Sequence, residues 1–139
     1  ALLDIDFFKR VNDQFGHQGG DEVLTVFASL VQRLCRASDI PCRFGGEEFA
    51  LILTETGPQD AVVLLDRIRL ALQETVFPRH PEHRVTVSAG VCGFAGAATA
   101  GMGAPEWIAA ADKALYAAKH GGRNRVVVAG GAPAPVGAA

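Results

Sequence analysis

Apolar positions change period several times along the chain. Ala1-Leu2-Leu3 and Ile5 form a short apolar run that reads as a buried strand end, and Phe8, Val11 and Phe15 then recur at helical intervals. Gly16-His17-Gln18-Gly19-Gly20 breaks that helix. A second is expected to open at Asp21-Glu22, acids suited to a helix N-terminus, with Leu24, Phe27, Val31 and Leu34 on one face and the pattern fading near Arg36. After Pro41, a stretch to Phe44 and the run Glu47 to Thr54 flank Gly45-Gly46, read as the two-residue loop of a β-hairpin because glycine takes positive φ at both positions. Thr56-Gly57-Pro58 announces a third helix carrying Ala61, Leu64, Leu65, Ile68 and Leu72, and Pro78 and Pro81 mark the loop after it. Arg84 to Phe94 alternates like a strand, residues 95–104 form a Gly/Ala loop, and a last helix from about Pro105 to Lys119 carries Ile108, Ala111, Leu115 and Ala118. Gly121-Gly122 stops it, Arg125 to Ala129 is a final strand, and Gly130 to Ala139 is a Gly/Ala/Pro tail too poor in large apolar residues to order itself.

The predicted order is βααββαβαβ. A hairpin inside an otherwise alternating chain argues for an α+β domain with a mixed central sheet flanked by helices, rather than a purely parallel doubly wound one. At 139 residues there is room for one domain. We expect it to occupy residues 1–129, with 130–139 as the unordered tail. The chain starts at Ala1 inside an apolar run, which reads as a fragment beginning part-way along its first strand.

Thirteen Lys and Arg against fifteen Asp and Glu give a net charge of -2, which excludes the basic excess of a general binder of nucleic-acid polymers or membrane surfaces. Any anion must therefore be held locally. Cys35, Cys42 and Cys92 form no CxxC pair and are odd in number, which supports neither a disulfide framework nor a cysteine zinc site and fits a reduced, cytoplasmic compartment. No apolar run approaches the roughly 20 residues of a membrane span, so direct membrane insertion is not expected.

Candidate chemistry gathers at element ends. Asp4 and Asp6 close the first strand, and Glu47 and Glu48 follow the Gly-Gly turn. Mg²⁺ is commonly held by one or two carboxylates with phosphate and water completing its shell, so a small acidic cluster beside glycine-rich backbone suits a nucleoside triphosphate. The competing reading is that these acids are solvated turn residues. Alternation along a regular strand would point Glu47 and Glu48 in different directions and give them different jobs. Gly45-Gly46 removes two side chains where a substrate would lie, although a hairpin turn alone also explains both glycines.

Arg43-Phe44-Gly45-Gly46-Glu47-Glu48-Phe49 resembles the signature of the GGDEF family of diguanylate cyclases, in its GGEEF variant. The segments Asp4 to Leu24 (DIDFFKRVNDQFGHQGGDEVL) and Ala111 to Val126 (ADKALYAAKHGGRNRV) are similar to that family's flanking motifs, in order and at suitable separation. The resemblance covers residues 1–129. It implies a palm-like domain, related to nucleotidyl cyclases and polymerases, that condenses two GTP into cyclic di-GMP with release of pyrophosphate. By the same resemblance Asp4 and Glu47, assisted by the Ile5 carbonyl, would bind Mg²⁺, for which Mn²⁺ could substitute. Glu48 would stand near the reacting hydroxyl and assist its deprotonation. Lys9, Lys119 and Arg123, with backbone amides near Phe7 and Phe8, would meet the triphosphate, and Arg43, Gly45 and Gly46 would border the substrate.

Asn12 and Asp21 match the family's guanine-binding pair. Guanine presents N1-H and N2-H donors that a carboxylate accepts, whereas adenine offers a lone pair at N1 that it would repel. Without the resemblance, Asp21 reads as a helix N-terminal acid and Asn12 as an exposed helix residue. His17 shapes the loop beside them. Lys119 and Arg123 are also suited to stabilising a helix C-terminus. Arg36-x-x-Asp39 resembles the family's inhibitory product site, and Arg67 sits where a second product-binding arginine is expected; a surface salt bridge is the plain alternative. The implied active species is a homodimer, each domain holding one GTP, driven by an upstream sensory or receiver domain. The alternative function is a non-catalytic module that senses GTP or cyclic di-GMP.

Overall fold

A strand covered on both faces reads as an almost unbroken apolar run, and Leu2–Ile5 (β1) is buried at all four positions. The computed structural model describes residues 1–93 and 99–130. After β1 come helix α1 (Phe8–Leu34), the hairpin β2 (Ile40–Arg43) and β3 (Glu48–Ile52), α2 (Pro58–Glu74), β4 (Val87–Val91), α3 (Ala104–His120) and β5 (Val126–Val128). The sheet order is β2-β3-β1-β4-β5, with β1 central. β1 is antiparallel to both β3 and β4, β2 is antiparallel to β3, and β4 is parallel to β5. The expected mixed α+β sheet is therefore present.

Alternation along β1 divides the molecule into two layers. Leu3 and Ile5 enter the main core with Phe27 and Val31 of α1 and Leu65, Ile68 and Leu72 of α2. Leu2 packs instead against Ala111 and Leu115 of α3. That helix lies almost on the sheet backbone: a Cβ at Gly90 of β4 would stand 2.2 Å from the Ala111 carbonyl oxygen and 2.3 Å from the Leu115 nitrogen. Close approach explains why the buried positions of α3 include Ala111, Ala114 and Ala118. Ile108, expected on that face, is 44% exposed, because it lies a turn beyond the contact.

Three local expectations are corrected. The two predicted helices form one element bent at Gly16 (φ 75°, ψ 175°), so the break is confined to a single residue. Gly19 and Gly20 are helical and buried; a Cβ would come within 2.6 Å of Phe15 Cβ at the first and 1.9 Å of Asn12 Oδ1 at the second. They are small because the two arms of α1 fold against each other there. Asp21 consequently lies in the second turn of the second arm, not at its N-terminus.

The hairpin turn is the second correction. It spans residues 44–47, with Phe44 and Gly45 N–H both donating to the Glu48 carbonyl (2.8 and 3.1 Å), and neither Gly45 nor Gly46 has positive φ. A longer loop closes without the left-handed geometry that a two-residue turn demands. The third follows from it. Glu47 precedes the regular strand, so alternation does not govern its direction relative to Glu48. The expectations for Phe94, the start of the Gly/Ala loop and the tail beyond Gly130 lie outside the described residues.

Candidate active site

The antiparallel register sets Asp4 of β1 opposite Glu48 of β3. Directly opposed residues share a face, so the end of the first strand and the start of the third bring both acids to one edge of the sheet, on the α3 side. The Ile5 N–H donates to the Glu47 carbonyl at 3.2 Å and ties the glycine turn to β1. Arg43 braces the same turn from outside, with Nη2 donating to Gly46 O at 2.6 Å and Nε to Gly45 O at 3.2 Å. Gly45 clears space within the turn, since a Cβ there would meet Glu48 Oε2 at 3.2 Å.

Asp4 is only 6% exposed, and Lys119 Nζ at the end of α3 donates to its Oδ2 at 2.5 Å. Burial dominates and raises the Asp4 pKa above its ordinary value; Lys119 pulls it back, and the charges of Glu47 and Glu48 push it up again. The folded chain therefore holds the Asp4 proton more tightly than the unfolded chain does. The stability this confers is full below the ordinary aspartate range and is lost as pH rises through the raised folded value. Lys119→Met removes a neighbour that favours the carboxylate, so the Asp4 titration is expected to move further up. Side-chain carboxyl NMR across a pH series checks it, and an unchanged or lowered midpoint would contradict the pairing.

The donor set fits a hard divalent cation. Asp4, the Glu47 carboxylate and the Ile5 carbonyl are oxygen groups on two joined elements, and the burial of Asp4 beside two further acids creates demand for positive charge. Among the described residues no three His, Cys, Asp or Glu side chains gather into a ready-made cage. Mg²⁺ shared with a phosphate requires none.

Beside the acids, just after β1, α1 has Phe7 (φ 54°) as its N-cap residue and no side-chain cap. Arg10 and Val11 N–H donate to the Phe7 carbonyl, which leaves the amides of Phe8 and Lys9 outside the helical ladder. Such amides suit an anion. The first turn contains no acid and instead carries the exposed Lys9 and Arg10, an arrangement unfavourable to the helix dipole unless an anion joins it. Arg123 Nη1 donates to the Lys119 carbonyl at 3.2 Å, and its guanidinium stands 4.5 Å over the Phe7 ring.

Asn12 lies with its carboxamide against Gly20, next to exposed Asp21, and His17 is exposed just past the kink. The fold thus brings Asn12 and Asp21 together across the bend in α1. Arg36 and Asp39 meet at the far end of the β2–β3 hairpin from the glycine turn. Asp39 Oδ2 accepts the Arg36 backbone N–H at 2.8 Å, Oδ1 accepts Nη2 at 3.2 Å, and the guanidinium also reaches Thr54 O and Thr56 Oγ1. Burial pushes the Asp39 pKa up, but these donors outweigh it and hold the carboxyl below its ordinary value. Arg67 is exposed on α2, and among the described residues no hydrogen bond or ion pair joins it to Arg36 or Asp39.

Sequence reasoning grouped Asp6 with the acids and gave it no role, and it passed over the Phe7 ring, Arg10 and Asn124. Asp6 accepts hydrogen bonds from Thr86, Ser88 and the Asn124 amide, partners more than seventy residues away that no local pattern indicates.

A mixed five-stranded sheet with acids at one strand edge, an uncapped helix start beside them, a lysine from α3 on the buried acid and an arginine just after it defines a palm-like α+β domain of the nucleotidyl cyclase kind. The chain belongs to the GGDEF family: the family model “Diguanylate cyclase, GGDEF domain” matches residues 1–125. It is similar to the response regulator PleD of Caulobacter vibrioides (47% identical over 131 residues, 91% of this chain and 28% of that protein). It is also similar to the diguanylate cyclase DgcP of Pseudomonas aeruginosa (44% over 130 residues, 93% and 19%). The chain thus spans less than a third of the length of these relatives. Among solved structures, it resembles the GGDEF domain of DgcB from Caulobacter crescentus in complex with c-di-GMP (TM-score 0.86, 36% identical, 94% of this chain and 76% of that one). It also resembles the active GGEEF domain of a Vibrio cholerae diguanylate cyclase (TM-score 0.84, 36% identical, 92% and 80%). No described helix is long and apolar enough to cross a membrane.

Proposed function

We propose that residues 1–129 form the catalytic unit of a cytoplasmic diguanylate cyclase, which condenses two GTP into cyclic di-GMP and two pyrophosphates. The observation that carries this reading is the intact Glu47-Glu48 turn set against buried Asp4, with Lys119 on the same carboxylate. Each domain would hold one GTP, and two domains would face each other as a symmetric dimer, brought together by an upstream sensory or receiver domain. Each ribose 3′-oxygen forms a bond to the other nucleotide's α-phosphorus as the bond to the β-phosphate oxygen breaks. Pyrophosphate departs, and the hydroxyl proton passes to the Glu48 carboxylate.

Mg²⁺, or Mn²⁺ in its place, held by Asp4, Glu47 and the Ile5 carbonyl, would neutralise developing charge on the phosphoryl oxygens. Lys9, Lys119, Arg123 and the amides at the start of α1 bind and orient the triphosphate, so much of the acceleration is positioning and preorganised charge. Arg43 holds the Gly45-Gly46 turn open for the substrate. Asp21 and Asn12 select guanine, with His17 shaping their loop. Arg36 and Asp39, with Arg67, form the product site that restrains the enzyme. Support for that assignment is a guanidinium kept in a fixed, accessible pose by a buried carboxylate, together with the c-di-GMP complex of the DgcB domain.

The test is GTP and Mg²⁺ incubated with the domain joined to a dimerising segment, with products identified by chromatography and mass spectrometry. Cyclic di-GMP is expected, and its addition in excess should slow turnover. A verified dimer that binds GTP and forms no product would favour the sensing module instead.

A further inference from the structure

Two neighbouring residues at the exit of β1 grip two neighbouring residues after α3. Asp6 is 5% exposed, and its carboxylate accepts from Ser88 Oγ (2.6 Å), Thr86 Oγ1 (2.7 Å) and the backbone N–H of Asn124 (3.0 Å). A buried carboxylate with three donors is engaged in holding structure. Phe7 is 48% exposed, yet its ring carries the guanidinium groups of Arg10 and Arg123 at 4.3 and 4.5 Å from its centroid.

The residues they grip adopt an uncommon conformation. Arg123 (φ 63°) and Asn124 (φ 46°) are consecutive left-handed residues without being glycine, a state that persists only where the surroundings hold it. Those surroundings are specific. The Arg123 N–H donates to Ala118 O at 2.9 Å, the Asn124 side chain accepts from Arg69 Nη1 at 3.2 Å and donates to Gln73 Oε1 at 3.3 Å, and Asp6 takes the Asn124 amide.

We infer that Asp6 and Phe7 are positioning residues for synthesis: Asp6 fixes the backbone of the Arg123-Asn124 turn, and the Phe7 ring fixes the Arg123 guanidinium over the triphosphate subsite. A guanidinium already ordered before binding loses little freedom when a phosphate arrives. Arg10 on the same ring adds a further fixed cation at the entrance to that subsite. This inference rests on the proposed triphosphate role of Arg123.

The decisive variant is Phe7→Leu, which keeps an apolar side chain and the same left-handed backbone but removes the aromatic face; Phe7→Tyr keeps the face. Two readouts are needed: steady-state synthesis, and equilibrium binding of 3′-deoxy-GTP with Mg²⁺, which lacks the attacking hydroxyl and cannot turn over. With the full-length protein, Phe7→Leu should raise both the KM for GTP and the Kd for 3′-deoxy-GTP about fivefold, leave kcat within about twofold, and be rescued by Phe7→Tyr. In an Arg123→Ala background, Phe7→Leu should add only the smaller share carried by Arg10, well below its fivefold effect in the parent. Asp6→Ala, which removes the acceptor of the Asn124 backbone N–H and of the Thr86 and Ser88 hydroxyls, should weaken nucleotide binding in the same manner. Wild-type constants in Phe7→Leu alongside weakened binding in Arg123→Ala would overturn the inference and leave the role of Arg123 standing. If Arg123→Ala also bound nucleotide normally, both would fall together.

Discussion

Glu47→Ala is expected to lower cyclic di-GMP formation by about three orders of magnitude while leaving thermal unfolding close to that of the parent. Loss of one preorganised charge partner at a phosphoryl centre costs roughly a hundred- to a thousandfold, and Glu47 is assigned to the cation that neutralises the transferring phosphoryl group. Its structural contribution comes from a different atom. The Glu47 backbone carbonyl accepts the Ile5 N–H at 3.2 Å, and alanine preserves that bond. Removing the carboxylate also removes one of the charges that raise the Asp4 pKa, so Asp4 should ionise more readily in the variant. Glu48→Ala should reduce synthesis comparably but by another route. Glu48 is assigned to the hydroxyl proton, so binding of 3′-deoxy-GTP with Mg²⁺ should survive in Glu48→Ala and weaken in Glu47→Ala. Full synthesis by either variant would refute the assignment of that residue.

What the sequence made legible and what it hid divide along physical lines. Local periodicity placed the described elements but divided α1 in two, because apolar spacing within a helix or strand depends only on neighbours a few residues apart. The GGEEF turn was readable for the same reason. Glycines were harder, since a glycine can mark a positive φ, a bend or a close approach, and only the third dimension tells these apart. Gly16 is a bend, whereas Gly19, Gly20 and Gly90 mark close approaches. Asp6 and the Arg123 contact of the Phe7 ring went unread because their partners come from β4, the residue just before it and the turn after α3. The Lys119 to Asp4 pair was implicit in two separate motifs, yet only the fold shows that a proposed phosphate ligand and a proposed metal ligand neutralise each other at 2.5 Å.

Gly20→Ala should separate stability from function at a residue that touches no ligand itself. The new methyl would stand 1.9 Å from Asn12 Oδ1 and 3.2 Å from Phe8 Cζ. The nearest obstacle is the tip of a side chain, so the chain yields by rotating Asn12 rather than by opening the helix. Alanine is favoured over glycine within a helix by roughly 1 kcal/mol, which offsets the local adjustment, and the unfolding temperature should stay level or rise slightly. The displaced Asn12 carboxamide, however, leaves its place beside Asp21 at the bend of α1. A site that recognises a base by matched polar groups loses steeply when one is misplaced, so GTP affinity should fall by about 30-fold, close to 2 kcal/mol, and preference for GTP over ATP should narrow. Calorimetric unfolding combined with equilibrium binding of both nucleotides reads the two effects separately. Unchanged GTP affinity would remove Asn12 from the guanine site, because the displacement is required by the 1.9 Å contact whatever the role of the residue.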